Sequence, residues 1–139
     1  MGIINSFRGD YYFLSNMYPC SIKCNGLTFS SAESLFHAFK DPASFERFAS
    51  LDGYSAKREG RKVTLRKNWN EFRLGIMRKI VRAKFMQNKD LALKLLATGD
   101  DILIEGNNWN DTFWGYCNGK GENHLGIILM DIRDELKVS

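Results

Sequence analysis

Residue types that build disulfide frameworks and metal centres are scarce in this sequence. Its three cysteines are odd in number and form no CxxC pair, which argues against a disulfide scaffold or a zinc knuckle. A reducing, cytoplasmic compartment is therefore expected. The two histidines, His37 and His124, lie in no motif with metal-ligand spacing, so we predict neither a bound metal nor another cofactor.

Long apolar runs and targeting signals are also missing. No stretch approaches the ~18 consecutive apolar residues that suggest a membrane-spanning helix, so no membrane association is expected. The first six residues lack the basic start of a signal peptide. Without linkers or repeats, the 139 residues are expected to form one domain over positions 1–139.

Positive charge is concentrated in one part of the chain. Between Lys57 and Lys84 there are eleven basic and two acidic residues, so this segment carries +9 and the remainder −5. A local cationic field suits a phosphate-bearing partner, and a solvated helix face is the alternative that this pattern leaves open.

Turn chemistry predicts strands near the start of the chain. Asn25-Gly26 separates two short apolar runs and supplies the two positive φ values of a type I′ hairpin, which places strands at residues 21–24 and 27–29. The aromatic-rich residues 11–14 are predicted to be a further strand. Residues 102–104 are predicted to form a short buried strand later in the chain.

Helical signals dominate the rest of the sequence. Ser30 to Glu33 has capping-box spacing and predicts a helix that stops near Pro42, followed by shorter helical pieces through Gly60. Asn68 precedes the longest periodic run, and later helices are predicted over residues 90–97 and 125–136. The expected apolar stripe of the long helix consists of Trp69, Phe72, Ile76, Ile80 and Ala83. The predicted fold class is α+β, mostly helical, with a small N-terminal antiparallel sheet.

The first predicted helix carries a polar strip. Glu33, His37 and Lys40 lie at positions i, i+4 and i+7, so they share one face. Spacing alone leaves two interpretations open. The strip lines a catalytic cleft, or Glu33 closes the capping box at the third helical position and the pair with His37 decorates the surface.

A second polar cluster, residues 105–115, overlaps the predicted loop of residues 107–123. Residues 105–115 contain three asparagines, two carboxylates and two tryptophans, and long loops in compact domains are often functional. Trp114 can stack on a base, although core packing is the alternative for one of the two tryptophans. Asp111 can act as an acid or base. Such residue types suit cleavage of a glycosyl bond, because a carboxylate stabilises the oxocarbenium-like transition state.

Several motifs, in order and covering nearly the whole chain, resemble the YbiA/NADAR family. The resemblance is carried by Phe13-Leu14-Ser15-Asn16, Ser31-Ala32-Glu33, Ala38-Phe39-Lys40, Gly60-Arg61, Leu65-Arg66-Lys67-Asn68-Trp69, Arg82-Ala83-Lys84-Phe85, Asn110-Asp111-Thr112-Phe113-Trp114-Gly115, Asn118-Gly119-Lys120-Gly121 and Asn123-His124-Leu125-Gly126. It implies a YbiA-like α+β domain that hydrolyses N-glycosidic bonds, either in early riboflavin intermediates or in ADP-ribosylated substrates such as modified guanine.

The same resemblance implies roles for individual residues. The implied catalytic residues are Glu33, Asp111 and Trp114, with the two carboxylates acting as a pair. The implied substrate-binding residues are Asn16, Lys40, Arg61, Trp69 and Asn123. One departure concerns the first helix. Relatives often have histidine directly after the glutamate and glutamine at the fourth position beyond it, where this chain has Ser34 and His37.

Three functional hypotheses follow. The first is an N-glycosidase acting on a small ribosyl-phosphate, with Arg61 and neighbouring lysines holding phosphate and Lys40 as a candidate for an imine with the opened sugar. The second is an ADP-ribosyl hydrolase whose partner is an ADP-ribosyl compound or a nucleic acid that carries ADP-ribose. The third is a non-catalytic module that binds ADP-ribose or nucleic acid, which rests on the basic segment.

Overall fold

A computed structural model describes residues 2–139 and confirms the α+β class, with six α-helices and four short strands in the described residues. The strands are β1 (Ile3–Ile4), β2 (Ile22–Cys24), β3 (Leu27–Phe29) and β4 (Ile102–Leu103). The helices are α1 (Ala32–Ala38), α2 (Phe45–Phe48), α3 (Gly53–Gly60), α4 (Trp69–Gln87), α5 (Lys89–Ala97) and α6 (His124–Lys137). Two short 3-10 helices span Gly9–Leu14 and Pro42–Ser44. No helix within residues 2–139 is long and apolar enough to cross a membrane.

The described chain divides into two compact units. One comprises residues 16–88 and the other comprises residues 2–15 together with residues 89–139. The first unit contains the hairpin and helices α1 to α4, and the second contains β1, β4, α5 and α6.

The predicted hairpin is confirmed in the first unit. Strands β2 and β3 pair antiparallel, and Asn25 and Gly26 between them have φ values of 52° and 78°. Both angles are positive, as a type I′ turn requires. Ile22 and Phe29 face each other across the ladder and are fully buried, so one end of the hairpin contributes to the core.

Helix α1 begins one residue later than the capping-box prediction places it. Ser31 is the N-cap, and its hydroxyl accepts a hydrogen bond from the Ser34 amide at 3.1 Å while the Ser34 hydroxyl lies 3.3 Å from the Ser31 amide. The box is therefore closed by Ser34, and the interpretation in which Glu33 closes it is wrong. Glu33 occupies the second helical position, which leaves its carboxylate available for another contact.

The buried face of helix α4 differs from the predicted stripe. Trp69 and Ile80 are buried as predicted, but Phe72 is 46% exposed. The other buried members of α4 are Met77, Val81, Lys84 and Phe85. Lys84, at 1% exposure, takes a core position that a hydropathy pattern assigns to an apolar residue.

The second unit contains a pairing that local patterns did not predict. Strand β1 pairs in parallel with β4, with Ile3 opposite Ile102 and Ile4 opposite Leu103. The predicted strand at residues 11–14 is wrong, since Gly9–Leu14 is a 3-10 helix. Gly9 has a φ of +57°, which turns the chain, and Phe13 and Leu14 are buried in succession rather than alternately.

Candidate active site

Glu33 is held at two points within the unit of residues 16–88. Its backbone amide donates to the carbonyl oxygen of Asn16 at 2.9 Å, and its carboxylate Oε2 lies 2.7 Å from Nε2 of His37. A Cβ built at Gly53 would lie 3.4 Å from the Glu33 Cβ, an ordinary contact distance, so helix α3 begins beside this side chain. The Glu33 side chain is 15% exposed. It is thus a fixed carboxylate that still reaches the surface.

His37 is more deeply buried than Glu33, with 6% of its side chain exposed. Its Nδ1 has no hydrogen-bond partner among residues 2–139. Gly60 lies against the imidazole, because a Cβ built at Gly60 would overlap Nδ1 and come within 2.8 Å of Cγ. The ring therefore fills a space that exists only because position 60 has no side chain.

Lys40 lies in the electrostatic field of Glu33. Partial burial lowers the pKa of Lys40, the negative charge of Glu33 raises it, and the positive charge of Arg61 lowers it further. The Lys40 ammonium also lies 5.7 Å from the ring centroid of Phe36. Lys40 and Arg61 therefore belong to the same electrostatic cluster as Glu33, and their phosphate-binding roles stay predictions.

Trp69 and Asn16 are mostly enclosed by the protein. Trp69 is 7% exposed and its ring packs against Phe36 with a centroid distance of 5.2 Å. Asn16 is 9% exposed, and its side-chain amide lies 3.4 Å from the sulfur of Met77. Core packing thus accounts for most of the Trp69 surface, and the substrate-binding roles of both residues stay predictions.

Asp111 organises the loop of the other unit. Its Oδ1 accepts hydrogen bonds from the amides of Trp114 at 2.9 Å and Phe113 at 3.2 Å. Asn107 fixes the same turn, since its Oδ1 accepts from the Asp111 amide at 3.1 Å and its Nδ2 donates to the Asp111 carbonyl at 2.9 Å. Asp111 Oδ1 is therefore committed to the turn, which leaves Oδ2 outside it.

Trp114 and Asn123 are the other two predicted site residues in this unit. Trp114 is half-buried and meets the edge of Phe113 at 4.8 Å between centroids. The Asn123 side chain bonds to the backbone of residues 103 and 105, so a structural role accompanies its predicted binding role. The predicted site residues thus fall into two groups, with Asn16, Glu33, Lys40, Arg61 and Trp69 in one unit and Asp111, Trp114 and Asn123 in the other.

Two residues of functional interest were not among the predicted site residues. His37 was recognised only as a neighbour of Glu33 on the helix, and Asn107 only as part of the polar loop. The i, i+4 spacing was the available signal for His37, but it does not distinguish a buried bond from a surface pair. Across residues 2–139, His, Cys, Asp and Glu form no group of three or more that could hold a metal ion.

Comparison with known proteins places these residues in a family. The NADAR domain family model matches residues 5–137. The N-glycosidase YbiA of Shigella sonnei is 40% identical to this chain over an alignment of 144 positions. The alignment covers 98% of this chain and 89% of that protein. The NMR structure of YbiA from E. coli matches with a TM-score of 0.86 and 39% identity, covering 99% of this chain and 86% of that one.

A longer relative also matches. A riboflavin biosynthesis protein of Vibrio vulnificus is 43% identical over 134 residues, which cover 92% of this chain. The chain spans only about a third of that protein, since the match covers 36% of its length.

Proposed function

This chain belongs to the NADAR domain family, and from that premise we propose that it is an N-glycosidase that hydrolyses the ribosyl C1′–N bond of a phosphorylated ribosylamino-pyrimidine. Relatives named N-glycosidase and riboflavin biosynthesis protein support this activity and substrate class. Water supplies the new C1′–O bond, the C1′–N bond breaks, and the departing nitrogen takes up a proton. The products are ribose 5-phosphate and the free aminopyrimidine.

The observation that carries the proposal is the fixed, partly exposed carboxylate of Glu33. Cleavage builds positive charge at C1′, and a carboxylate held nearby stabilises that charge more strongly in the transition state than in the bound substrate. Its position is fixed before the reaction by the contacts to Asn16 and His37, so little reorganisation is needed.

The cationic neighbours of Glu33 are assigned to bind the phosphate. Arg61 is exposed and Lys40 lies close enough for the charges of Glu33 and Arg61 to shift its pKa. A guanidinium binds phosphate oxygens through a planar pair of donors, and an ammonium adds a point charge. We assign phosphate binding to Arg61 and Lys40, a catalytic role to the free oxygen of Asp111, and base stacking to Trp114.

The decisive experiment is the substitution Glu33→Gln. The variant keeps the size of the side chain but removes its negative charge, so release of free pyrimidine and ribose 5-phosphate should fall by roughly 10²–10⁴-fold. Glu46→Gln is the matched control, because Glu46 is exposed on helix α2. Turnover of Glu33→Gln at the wild-type rate would remove Glu33 from the mechanism.

ADP-ribosyl hydrolysis is the second candidate, and the basic segment of residues 57–84 favours it. Its exposed cations include Arg58, Lys62 and Lys67, which suit a diphosphate or a nucleic acid that carries ADP-ribose. Incubating the protein separately with a ribosylamino-pyrimidine phosphate and with ADP-ribosylated guanine, then identifying products by mass spectrometry, distinguishes the two. Binding without turnover, weakening steeply with salt, would instead favour a nucleic-acid module.

A further inference from the structure

We propose that His37 is the positioning residue of Glu33, holding one carboxylate oxygen so that the other faces the substrate, and that Gly60 provides the space for its ring. The inference rests on the proposed glycosidase function. The 2.7 Å contact between His37 Nε2 and Glu33 Oε2 is its starting point.

The surroundings of the ring determine which way the hydrogen bond runs. Neutral imidazole carries one N–H, on Nε2 or on Nδ1. With the proton on Nδ1, a buried N–H would have no acceptor among residues 2–139, and a buried unsatisfied donor is costly. With the proton on Nε2, the N–H donates to the carboxylate and only a lone pair is left on Nδ1. His37 is therefore the donor, and Glu33 Oε2 is the acceptor.

This direction assigns different roles to the two oxygens of Glu33. Oε2 is held by a donor that is itself almost fully enclosed, so the carboxylate plane is fixed by a group that solvent does not displace. Oε1 is the oxygen that remains for the developing charge at C1′. Misplacement of a catalytic group by about 1 Å can cost roughly 10²-fold in rate, so the bond controls how well Glu33 acts rather than whether substrate binds.

Gly60 is the third member of the arrangement. Any side chain at position 60 would overlap the imidazole, since even a Cβ meets Nδ1 and Cγ. Gly60 ends helix α3 and has no positive φ, so its backbone conformation alone does not require glycine. Close packing against His37 is the physical reason for a glycine immediately before Arg61.

Three substitutions of His37 separate positioning from packing. His37→Gln keeps an N–H donor close to the place of Nε2, His37→Asn has an amide too short to reach it, and His37→Leu keeps bulk without a donor. We expect kcat within about threefold of wild type for His37→Gln. For the other two variants kcat should fall by roughly 10–100-fold with KM changed by less than about threefold. Equal kcat for all three variants, or a loss in KM alone, would overturn the proposal.

A spectroscopic measurement tests the same bond without relying on activity. Long-range ¹H–¹⁵N spectra of histidine-labelled wild-type protein report which ring nitrogen carries the proton, and the His37 signals are those that disappear in His37→Gln. The expected result is a protonated Nε2 and an unprotonated Nδ1. A proton on Nδ1 of neutral His37 would refute the assignment.

These outcomes are distinguishable from failure of the proposed function. If the wild-type protein releases no base from any ribosyl substrate, the N-glycosidase proposal fails, while the tautomer measurement still decides whether His37 donates to Glu33. If Glu33→Gln abolishes turnover but His37→Leu retains the wild-type kcat, the function stands and the positioning role of His37 is wrong.

Discussion

Asn123 Nδ2 donates to the carbonyl oxygen of Leu103 at 2.9 Å, across 20 positions of the chain. The Oδ1 of the same amide accepts the Glu105 amide at 2.9 Å, and Asn123 itself has a φ of 53°. One side chain thus satisfies two backbone groups at the end of β4, from a left-handed conformation that asparagine tolerates better than most residues.

Replacing Asn123 should therefore lower the stability of the fold more than it lowers the catalytic rate. Asn123→Ala loses both hydrogen bonds and puts alanine at a positive φ that asparagine tolerates better. We therefore expect the free energy of unfolding to fall by about 2–4 kcal/mol. Asn123→Gly loses the bonds but relieves the backbone, and should cost less. Urea unfolding of the two variants measures the difference. An unchanged midpoint for Asn123→Ala would show that these bonds contribute little.

Asp111 combines a turn role with a proposed catalytic role, and Asp111→Asn separates them. The asparagine carbonyl can still accept the Trp114 and Phe113 amides, so the free energy of unfolding should change by less than about 1 kcal/mol. Removing the charge should nevertheless lower kcat by at least about 10²-fold if Asp111 acts as acid or base. Wild-type turnover of Asp111→Asn would restrict this residue to the turn.

Substitution of the two tryptophans of the predicted site should affect different properties, mainly stability for Trp69 and mainly activity for Trp114. Trp69 is buried against Phe36, so Trp69→Ala should lower the free energy of unfolding by about 3–5 kcal/mol. Trp114 is half-buried, so Trp114→Ala should cost less stability and reduce kcat/KM by roughly 5–150-fold, with part of the loss recovered in Trp114→Phe. Thermal unfolding and steady-state kinetics on the same preparations provide the comparison. A kcat/KM for Trp114→Ala equal to wild type would contradict base stacking.

The buried Lys84 predicts a dependence of stability on alkaline pH. Burial lowers the pKa of Lys84 from 10.5 to about 8, and the nearby Cys20 partly opposes the shift. Between these values the unfolded chain binds more protons than the folded one, so stability rises with pH, is highest above the unfolded pKa and is lost as pH falls through about 8. From about pH 7 to about pH 10 the gain should be on the order of 2 kcal/mol.

Lys84→Met should remove this gain. The comparison with wild type isolates Lys84 from other groups that titrate in the range, such as Cys24, whose pKa is raised by burial. Lys79→Met is the control on the exposed face of α4 and should keep the rise. Urea unfolding at the two pH values gives the slopes. Parallel slopes for wild type and Lys84→Met would mean that Lys84 stays charged inside the fold.

Local chemistry was the reliable guide to the fold. The Asn25-Gly26 turn was predicted because its two positive φ values depend on those two residues alone, and the helices near residues 90 and 125 because their apolar spacing persists over several turns. Strand β1 escaped prediction since two residues carry no periodicity and its partner lies almost a hundred positions away. The burial of Lys84 was not predicted, because the burial of a lysine depends on which residues pack around it.

The candidate site was also predictable only in part. The resemblance selected Glu33 and Asp111, but the bond to His37 and the space left by Gly60 depend on how α1 and α3 pack. The capping-box prediction erred by one position because serines occur consecutively at 30 and 31. Only Ser30 has a glutamate three residues later, whereas the box that forms pairs Ser31 with Ser34. That single position decides whether Glu33 caps a helix or meets His37.

The parallel pairing of Ile3–Ile4 with Ile102–Leu103 also bears on how the protein forms on the ribosome. At a synthesis rate of roughly 5–20 residues per second, the first strand waits about 5–20 s for its partner. All of residues 16–88 emerge in that interval, and their helices and hairpin find their contacts among themselves. Vectorial synthesis therefore gives the unit that carries Glu33 an opportunity to fold before the unit that carries Asp111 is complete.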